Sequence, residues 1–478
     1  MMFFIAPLAL LATAAPLPDT IPVHKPADVA IAATATQEAS VAPPPGHPLE
    51  GIETRTLPWP GRQSAEDRSV LRADGVALVA AMNAGDSSAI ARHRAILERG
   101  LGRYVGEPED RAFYGQPVDP STPDLNRVVA LWADQHQRLN GRYPWNEAAA
   151  MRASGRVPGR LRTTSRIARA HLHVYEANVP GRDAYLQEAI AAADYLLTVQ
   201  ADNGVFGYPY DPAATEGLRG VAARFVLEAR ARGFNVAANG WVVDDLQTGE
   251  LNFDNGLSGL FLLHIYRLTG DDRYLQSAKR AGEWAMGRNL VANYNYNGFN
   301  GQLLSRLYRL TGEQRYLDRA RWVFEYGVMS GQLDNGRWFD QHNAKIQYHA
   351  IMMSQLAEFQ LALRQADDPF AATVESALVR GLDNMALEIT SNGSSNTHEM
   401  LAVDALVFGS RVLGGRDLWT RAINVDMNFL LNQFQPKLQG MGSPLPEPVG
   451  TYILFAQGNG PTFAGMDSVV GPFQPVTP

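Results

Sequence analysis

The 478-residue chain contains no cysteine, which removes disulfide frameworks, thiolate metal sites and cysteine nucleophiles from consideration. It also lacks a run of basic residues, and its formal net charge is −7, so no nucleic-acid-binding surface is indicated. Beyond the N-terminus, no apolar segment is long enough to span a bilayer. Phosphate-binding glycine loops, dinucleotide-binding fingerprints, His-x-x-x-His pairs and calcium loops are also absent. We therefore expect a protein without a cofactor, a metal or a membrane span.

The composition that remains is that of a globular protein, with 46% hydrophobic and 19% charged residues. Residues 1–15 form a short apolar run that ends in small residues, which predicts a signal peptide cleaved near Ala14 or Ala15. Residues 16–48 are rich in Ala and Pro and predict an extended tether. We expect one folded domain over 49–478, an irregular tail from about Gly440, and a periplasmic or secreted location.

An internal repeat of helical hairpins organises the rest of the chain. The sequence YRLTGDDRYLQSA at 266–278 recurs 42 residues later, at 308–320, as YRLTGEQRYLDRA. Each copy ends one helix, supplies a glycine C-cap and begins the next helix. The flanking segments are apolar at three- and four-residue intervals, and the period suits paired helices. The sequence predicts an all-α protein of six or seven helical hairpins.

The links between successive hairpins are longer than the turns within them and richer in aromatic residues, Asn, Asp and Gly. Because every hairpin runs in the same direction, all of these links emerge at one end of the assembly. We therefore expect a single working face. The links are residues 203–211, 241–255, 293–300, 335–349 and 392–399.

Two kinds of motif resemble those of a known family. A Gln-x-x-Asn-Gly-x-aromatic element ends one helical segment at 200–206 and recurs at 332–338. Phe253-Asp-Asn-Gly before a helix resembles the Asp-Asn that opens an inner helix in toroidal pectate lyases and unsaturated-uronyl hydrolases. From about residue 125 to 430 the chain resembles the α/α-toroid carbohydrate-active enzymes. The resemblance implies an (α/α)6-7 toroid with one loop-rich active face and a polysaccharide or oligosaccharide substrate.

The densest segment, residues 337–349, suits β-elimination at a uronic acid. A lyase needs a base for the C5 proton, an acid for the leaving oxygen and a group that neutralises the carboxylate. Tyr348 and His349 are the first proton-transfer candidates. Adjacent helical residues point about 100° apart, so we expect only one of the two to face the cleft. His398 and Glu399 end another link and are further acid–base candidates.

Other side chains of the same face are candidates for binding the substrate. Sugars stack on flat aromatic rings and hydrogen-bond to amides, and arginine pairs with a uronate carboxylate. The candidates are Arg160, Arg162, Tyr210, Trp241, Asn255, Tyr296, Asn300, Trp338, His342, Asn343 and Lys345.

Two other functions remain open. Hydrolysis requires two carboxylates across the scissile bond, and Asp254, Asp340 and Glu399 lie on the expected face. The resemblance to unsaturated-uronyl hydrolases makes Asp254 the first of these to test. A non-catalytic periplasmic sugar-binding protein would keep the aromatic residues without a converging acid and base. We favour the lyase because His, Tyr, Asn and Arg surround the carboxylates.

Overall fold

The computed structural model describes residues 65–101, 121–153, 157–340, 342–392, 395, 400–434 and 444–457. The expected signal peptide at 1–15, the tether at 16–48 and the domain start at 49 lie outside the described residues. Within the described ranges, no helix combines the length and the apolar character needed to cross a bilayer.

Helices make up most of the described chain. They are α1 (Ala65–Ala84), α2 (Ser87–Leu101), α3 (Leu125–Leu139), α4 (Pro144–Ala153), α5 (Leu161–Glu176), α6 (Arg182–Val199), α7 (Gly217–Ala231), α8 (Glu250–Thr269), α9 (Asp272–Met286), α10 (Tyr294–Thr311), α11 (Gln314–Gly327), α12 (Ile346–Gln365), α13 (Ala371–Asn392), α14 (Leu401–Leu413), α15 (Asp417–Phe429) and α16 (Glu447–Ala456). A 3₁₀ turn at Met329–Gly331 follows α11, and a π-helical turn at Leu430–Phe434 follows α15.

A small antiparallel sheet lies in the link between α6 and α8. Its strands are β1 (Tyr208–Pro209), β2 (Ala237–Ala238) and β3 (Trp241–Val242), in the order β1-β3-β2. Val242 pairs with Tyr208 on one side and with Ala237 on the other. With α7, this sheet forms an insertion beside the N-terminal end of α8.

Six helices form a closed inner ring. In order around the ring they are α5, α8, α10, α12, α14 and α16, and α16 packs back against α5. Helices α6, α9, α11, α13 and α15 each follow and back an inner helix, while α3 packs behind α16. The described residues therefore form an (α/α)6 toroid of five consecutive hairpins and a sixth pair, α16 with α3, which confirms the expected all-α toroid.

The repeated Thr-Gly turns have nearly identical geometry. Gly270 has φ 70° and ψ 7°, and Gly312 has φ 71° and ψ 6°. Their amides donate to the carbonyls of Tyr266 and Tyr308, each at 2.7 Å. Both turns are the left-handed C-caps that the sequence predicts.

The C-terminal part of the chain corrects one expectation. The segment after Gly440 was expected to be irregular, but Glu447–Ala456 is the sixth inner helix. Proline is tolerated there because Pro448 lies in the first turn, where backbone amides have no partner within the helix. Gly450 allows close approach, since a Cβ at this position would overlap the backbone of Ala170 in α5.

All six inner helices begin at the same end of the ring, which we call the open end. Contacts between residues near the helix starts show this for α5 with α8 and for α10 with α12. The backbone amide of Arg162 at the start of α5 donates to Asp254 in α8 at 2.9 Å. The Asn295 side chain at the start of α10 donates to Asn343, just before α12, at 2.8 Å. Among the described residues, the links before α8, α10 and α12 therefore lead to this end, as the sequence predicts.

The Gln-x-x-Asn-Gly motif is a structural clip in both of its copies. The Gln200 amide donates to the carbonyls of Gly204 and Ser277, at 2.7 and 2.9 Å. The Gln332 amide donates in the same way to Gly336 and Ala377, each at 3.0 Å. Each clip therefore fastens a link to the neighbouring outer helix, α9 or α13.

Buried charges inside the ring are paired between neighbouring inner helices. Glu358 of α12 accepts from Arg306 Nε at 2.7 Å and from Arg309 Nη1 at 2.8 Å, both from α10. The three side chains are no more than 7% exposed. In so dry a setting, the carboxylate and the two guanidinium groups depend on one another.

Gly336→Ala tests the clip against a matched change in an open turn. Both Gly336 and Gly312 have positive φ, which costs an alanine about 1–2 kcal/mol. A Cβ on Gly336 would also overlap the Arg380 carbonyl, whereas Gly312 has nothing within 4 Å. We expect urea denaturation to show that Gly336→Ala loses about 1–3 kcal/mol more than Gly312→Ala. Equal losses of unfolding free energy in the two variants would show that the close contact of Gly336 with Arg380 does not hold the link in place.

Glu358→Ala tests the buried ion triad. The change leaves two arginines buried without their carboxylate, so we expect the free energy of unfolding to fall by about 3–5 kcal/mol. Glu375→Ala is the control, because Glu375 pairs with Arg364 at 2.9 Å on the surface and should cost at most about 1 kcal/mol. Similar losses for both variants would argue against the triad.

Candidate active site

Asp254 organises the arginines at the open end. Its carboxylate is fully buried and accepts from both the backbone amide and Nε of Arg162, at 2.9 and 2.8 Å, with a further bond from Arg162 Nη2. The guanidinium of Arg160 lies 4.0 Å from the same carboxylate. Because Arg162 engages both oxygens, Asp254 acts as a positioning residue for arginine and not as a free acid.

Aromatic rings support these arginines. The guanidinium carbon of Arg162 lies 4.0 Å from the ring centre of Phe253, which stacks on Phe299 at 4.1 Å. The guanidinium carbon of Arg166 lies 5.2 Å from the centre of the same Phe253 ring. Arg160 lies over the Tyr208 ring at 5.0 Å. The result is a rigid cationic patch on an otherwise acidic protein.

Arg160 differs from Arg162 in its hydrogen bonding. Arg162 is committed to Asp254, whereas the Arg160 side chain has no hydrogen-bonded partner in the described part of the chain. The Arg160 side chain is 25% exposed. Its guanidinium donors are therefore available to an acidic ligand at the open end.

Tyr348 and His342 form a second pair at this end. Their rings stack at 4.1 Å with an interplanar angle of 24°, and both residues are half-buried. Burial lowers the pKa of His342, and the ammonium of Lys345 lowers it further. The imidazole is therefore neutral near pH 7 and can accept a proton.

The link before α12 is anchored by amides. Asn343 donates from its backbone and its side chain to Asp340, at 2.9 and 3.0 Å, and accepts from Asn295 at 2.8 Å. Burial raises the pKa of Asp340, while the Asn343 hydrogen bonds oppose that rise. Asn343 and Asp340 thus hold the His342 segment against α10, which leaves neither of them free for a sugar.

His349 does not face the open end. Its side chain is fully buried against α13, where a Cβ on Gly381 would lie 3.1 Å from His349 Nε2. Burial holds the pKa of His349 well below its usual range. Of the adjacent candidates Tyr348 and His349, only Tyr348 lies where a substrate could reach it. A proton-transfer role for His349 is therefore not supported.

Two tryptophans expected to stack on sugars are core residues. Trp338 is 1% exposed, and its Nε1 donates to the Val328 carbonyl at 2.9 Å. Trp241 lies in β3 and is 5% exposed. Both expectations are corrected, because an indole with no exposed face offers no platform to a sugar.

The remaining amide and aromatic candidates differ in position. Asn255 is a link anchor, since it accepts from the Phe206 amide at 3.1 Å and donates to the Ala281 carbonyl at 3.0 Å. Asn300 is buried one turn beyond Tyr296, and its Oδ1 has no partner among the described residues. Tyr210 is half-buried just after β1.

Two acid–base candidates, His398 and Glu399, lie outside the described residues. In the parts of the chain that are described, no three His, Cys, Asp or Glu side chains group in a way that could hold a metal ion.

Sequence reasoning missed a pair of buried carboxyl residues on two adjacent inner helices. Asp404, in the first turn of α14, and Glu447, the first residue of α16, are 5% and 6% exposed. Arg169 of α5 lies 3.2 Å from Glu447, and Arg166 acts electrostatically on both carboxyls. A usable signal was present, since Asp404 interrupts the apolar run LAVDALVF at 401–408.

Comparison with known proteins gives three similar solved structures. A family 88 glycosyl hydrolase from Bacteroides vulgatus is 13% identical with a TM-score of 0.47, over 70% of this chain and 98% of that one. A polysaccharide lyase is 12% identical with a TM-score of 0.43, over 68% and 96%. A mutant unsaturated glucuronyl hydrolase from Streptococcus agalactiae is 13% identical with a TM-score of 0.41, over 72% and 95%.

No family model matches the sequence, and no curated protein matches it. The three structures belong to the groups of toroidal carbohydrate-active enzymes that the sequence resembles. They include hydrolases and a lyase, and at these identities they do not distinguish the two reactions. The assignment as an (α/α)6 toroid rests on the closed ring of helices itself.

Asp404→Asn tests whether the buried carboxyl is protonated in the folded protein. Burial, reinforced by Glu447, holds the pKa of Asp404 well above its usual range. The unfolded chain loses this proton near the ordinary aspartate pKa, so the native state binds more protons above it and stability falls as pH rises through this window. We expect the Tm of Asp404→Asn, relative to wild type, to increase from about pH 4 to about pH 8.

The control is Asp183→Asn, which removes the charge of a carboxylate that is 89% exposed. A constant Tm difference for Asp404→Asn across the pH range would show that Asp404 is ionised in the native protein.

Proposed function

We propose that the protein cleaves a uronic-acid-containing polysaccharide by β-elimination at the open end of the ring. The observation that carries this proposal is the stack of Tyr348 on His342, at the same end of the ring as Arg160. A neutral imidazole can act as the base, and an arginine with free donors can bind the uronate carboxylate. The support comes from these side chains, not from the similar structures.

In the proposed elimination, Arg160, His342 and an acid act one after another. Arg160 binds the carboxylate and stabilises the negative charge that develops on it when the C5 proton leaves. His342 accepts that proton, and Tyr348 holds the imidazole by stacking. The C4–O bond then breaks, a C4=C5 double bond forms, and the leaving oxygen takes a proton from an acid.

Hydrolysis is the second candidate because of one specific observation. Asp404 and Glu447 are two buried carboxyl residues on adjacent inner helices. An acid and a second carboxylate are what glycoside hydrolysis requires. Asp254 and Asp340 suit it less well, since Arg162 and Asn343 engage them.

Absorbance near 235 nm, followed with a panel of uronate polymers beside a reducing-sugar assay, separates the two reactions. We expect absorbance and reducing ends to rise together. His342→Ala should lower kcat by about 10²- to 10⁴-fold, because it removes the base. Arg160→Ala should mainly raise KM on uronates, and less so on their methyl esters.

Two further variants complete this experiment. Tyr348→Phe keeps the ring, so retained activity assigns the proton to His342, while loss of activity assigns it to the Tyr348 hydroxyl. Tyr308→Phe is the control for hydroxyl loss, because Tyr308 lies at the opposite end of α10. Reducing ends without absorbance would establish hydrolysis instead, and silence in both assays would favour a sugar-binding protein.

A further inference from the structure

His342 has two ring nitrogens, and the proposed elimination needs the one that carries no proton. Its Nε2 lies 3.5 Å from the side-chain nitrogen of Asn293, the residue just before α10. An amide nitrogen only donates hydrogen bonds, so at this contact Nε2 can only accept. Which atom of the Asn293 amide faces His342 therefore decides which ring nitrogen holds the proton.

The orientation of the Asn343 amide is fixed by its neighbours. Its oxygen accepts from the backbone amide of Asn295 at 3.3 Å, and a backbone amide can only donate. The Asn343 nitrogen consequently points the other way, where it donates to both oxygens of Asp340, at 3.0 and 3.1 Å. Asn343 is 2% exposed and Asn295 is fully buried, so water does not compete for these hydrogen bonds.

The Asn295 side chain passes this orientation on to Asn293. Its nitrogen has two hydrogens, and it donates to the Asn343 oxygen at 2.8 Å and to the Asn293 oxygen at 2.6 Å. If the Asn293 amide were turned over, two nitrogen donors would face each other across the second of these distances. The Asn293 oxygen must therefore face Asn295, which leaves the Asn293 nitrogen to face His342.

We propose that Asn293 holds His342 in the tautomer with its proton on Nδ1, so that Nε2 is the atom that takes the C5 proton. This inference rests on the proposed function and makes Asn293 a positioning residue for the base. The C5–H bond breaks as an Nε2–H bond forms. The electron pair left on C5 forms the C4=C5 double bond as the C4–O bond breaks, and Nε2 returns its proton to water before the next turnover.

The groups around His342 bear on its charge in different ways. The ammonium of Lys345 opposes a positive imidazole, and the Tyr348 ring covers one face of it. Asp340 accepts hydrogen bonds from the link itself. Once Nε2 is protonated, its N–H faces the N–H groups of Asn293, two donors that cannot satisfy each other. Asn293 therefore favours the neutral base before the reaction and release of the proton after it.

The tautomer can be observed on the full-length protein without substrate. Heteronuclear NMR spectra of protein with isotope-labelled histidine show which ring nitrogen carries a proton. At about pH 8, where the imidazole is neutral, we expect the proton of His342 on Nδ1. The signals of His342 are identified by their loss in His342→Gln.

Two substitutions at the half-buried Asn293 test the cause. Asn293→Asp replaces the donor by a carboxylate that accepts, so the proton should move to Nε2 and the pKa of His342 should rise by about 1–3 pH units. Asn293→Ala removes the donor without adding a charge, so both tautomers should appear. A wild-type proton on Nε2, or variants whose spectra and titration match wild type, would overturn the inference.

Asn335→Asp is the matched control for an added carboxylate in the same link. The Asn335 oxygen accepts from the Arg337 backbone amide at 2.9 Å, a role that a carboxylate keeps. This variant should leave the proton of His342 on Nδ1. A proton that moves to Nε2 in Asn335→Asp as well would overturn the specific role of Asn293.

The pH profile of the reaction separates failure of this inference from failure of the proposed function. In Asn293→Asp the acidic limb of kcat/KM for the product that absorbs near 235 nm should move up with the pKa of His342, because the base must lose its proton before it acts. A limb that stays in place while the NMR titration moves would overturn His342 as the base. Wild-type protein that releases no such product would overturn the elimination, and the spectra would still show whether Asn293 sets the tautomer.

Discussion

Pairing of charges inside the ring is the constraint on which the rest of the structure depends. The inner helices turn charged and polar side chains toward one another where little water can reach. Glu358 between two arginines joins α10 to α12, and Asp254 with Arg162 joins α5 to α8. A hydrogen bond between the uncharged His264 and Glu176, at 2.9 Å, joins α5 to α8 again toward the other end. Because unpaired buried charges are costly, these pairs limit how neighbouring helices can slide or rotate.

The same constraint explains how stability and chemistry are divided along the ring axis. Deep in the ring, carboxylates and arginines pair with one another, as Glu358 does with Arg306 and Arg309. At the open end, Arg160 has guanidinium donors that no hydrogen bond in the described part of the chain uses. Groups left incompletely paired on a rigid frame are the ones available to a ligand. The site is therefore an end of the structural network and not a separate addition to it.

The fold could be predicted because helical periodicity and turn chemistry are local properties. The Thr-Gly turns at Gly270 and Gly312 have the geometry that their sequence implies. The sixth inner helix could not be read in the same way, because Pro446 and Pro448 at its start indicate a break when only neighbours in sequence are considered. Its helical state depends on packing against α5, a contact about 280 residues away in sequence that no local pattern contains.

The sequence could predict which face of the ring carries the candidate site, but not which side chains form it. The links indicated one end of the ring. The sequence of a link rich in aromatic residues does not show which of its aromatic side chains are buried in the core. Trp338 and His349 are buried against neighbouring helices, whereas Tyr348, next to His349, is not. Asp404 was missed because its apolar neighbours suggest an ordinary core helix.

Closure of the ring by α16 also has a consequence for synthesis of the chain. The seam between α16 and α5 joins the last inner helix to the first, so the ring stays open until α16, the sixth inner helix, has left the ribosome. Arg166 and Arg169 lie on one side of that seam and Glu447 on the other. A nascent chain that stops before α16 has every other inner helix but lacks Glu447, the partner of Arg169. Closure of the ring and pairing of Glu447 with Arg169 therefore happen together.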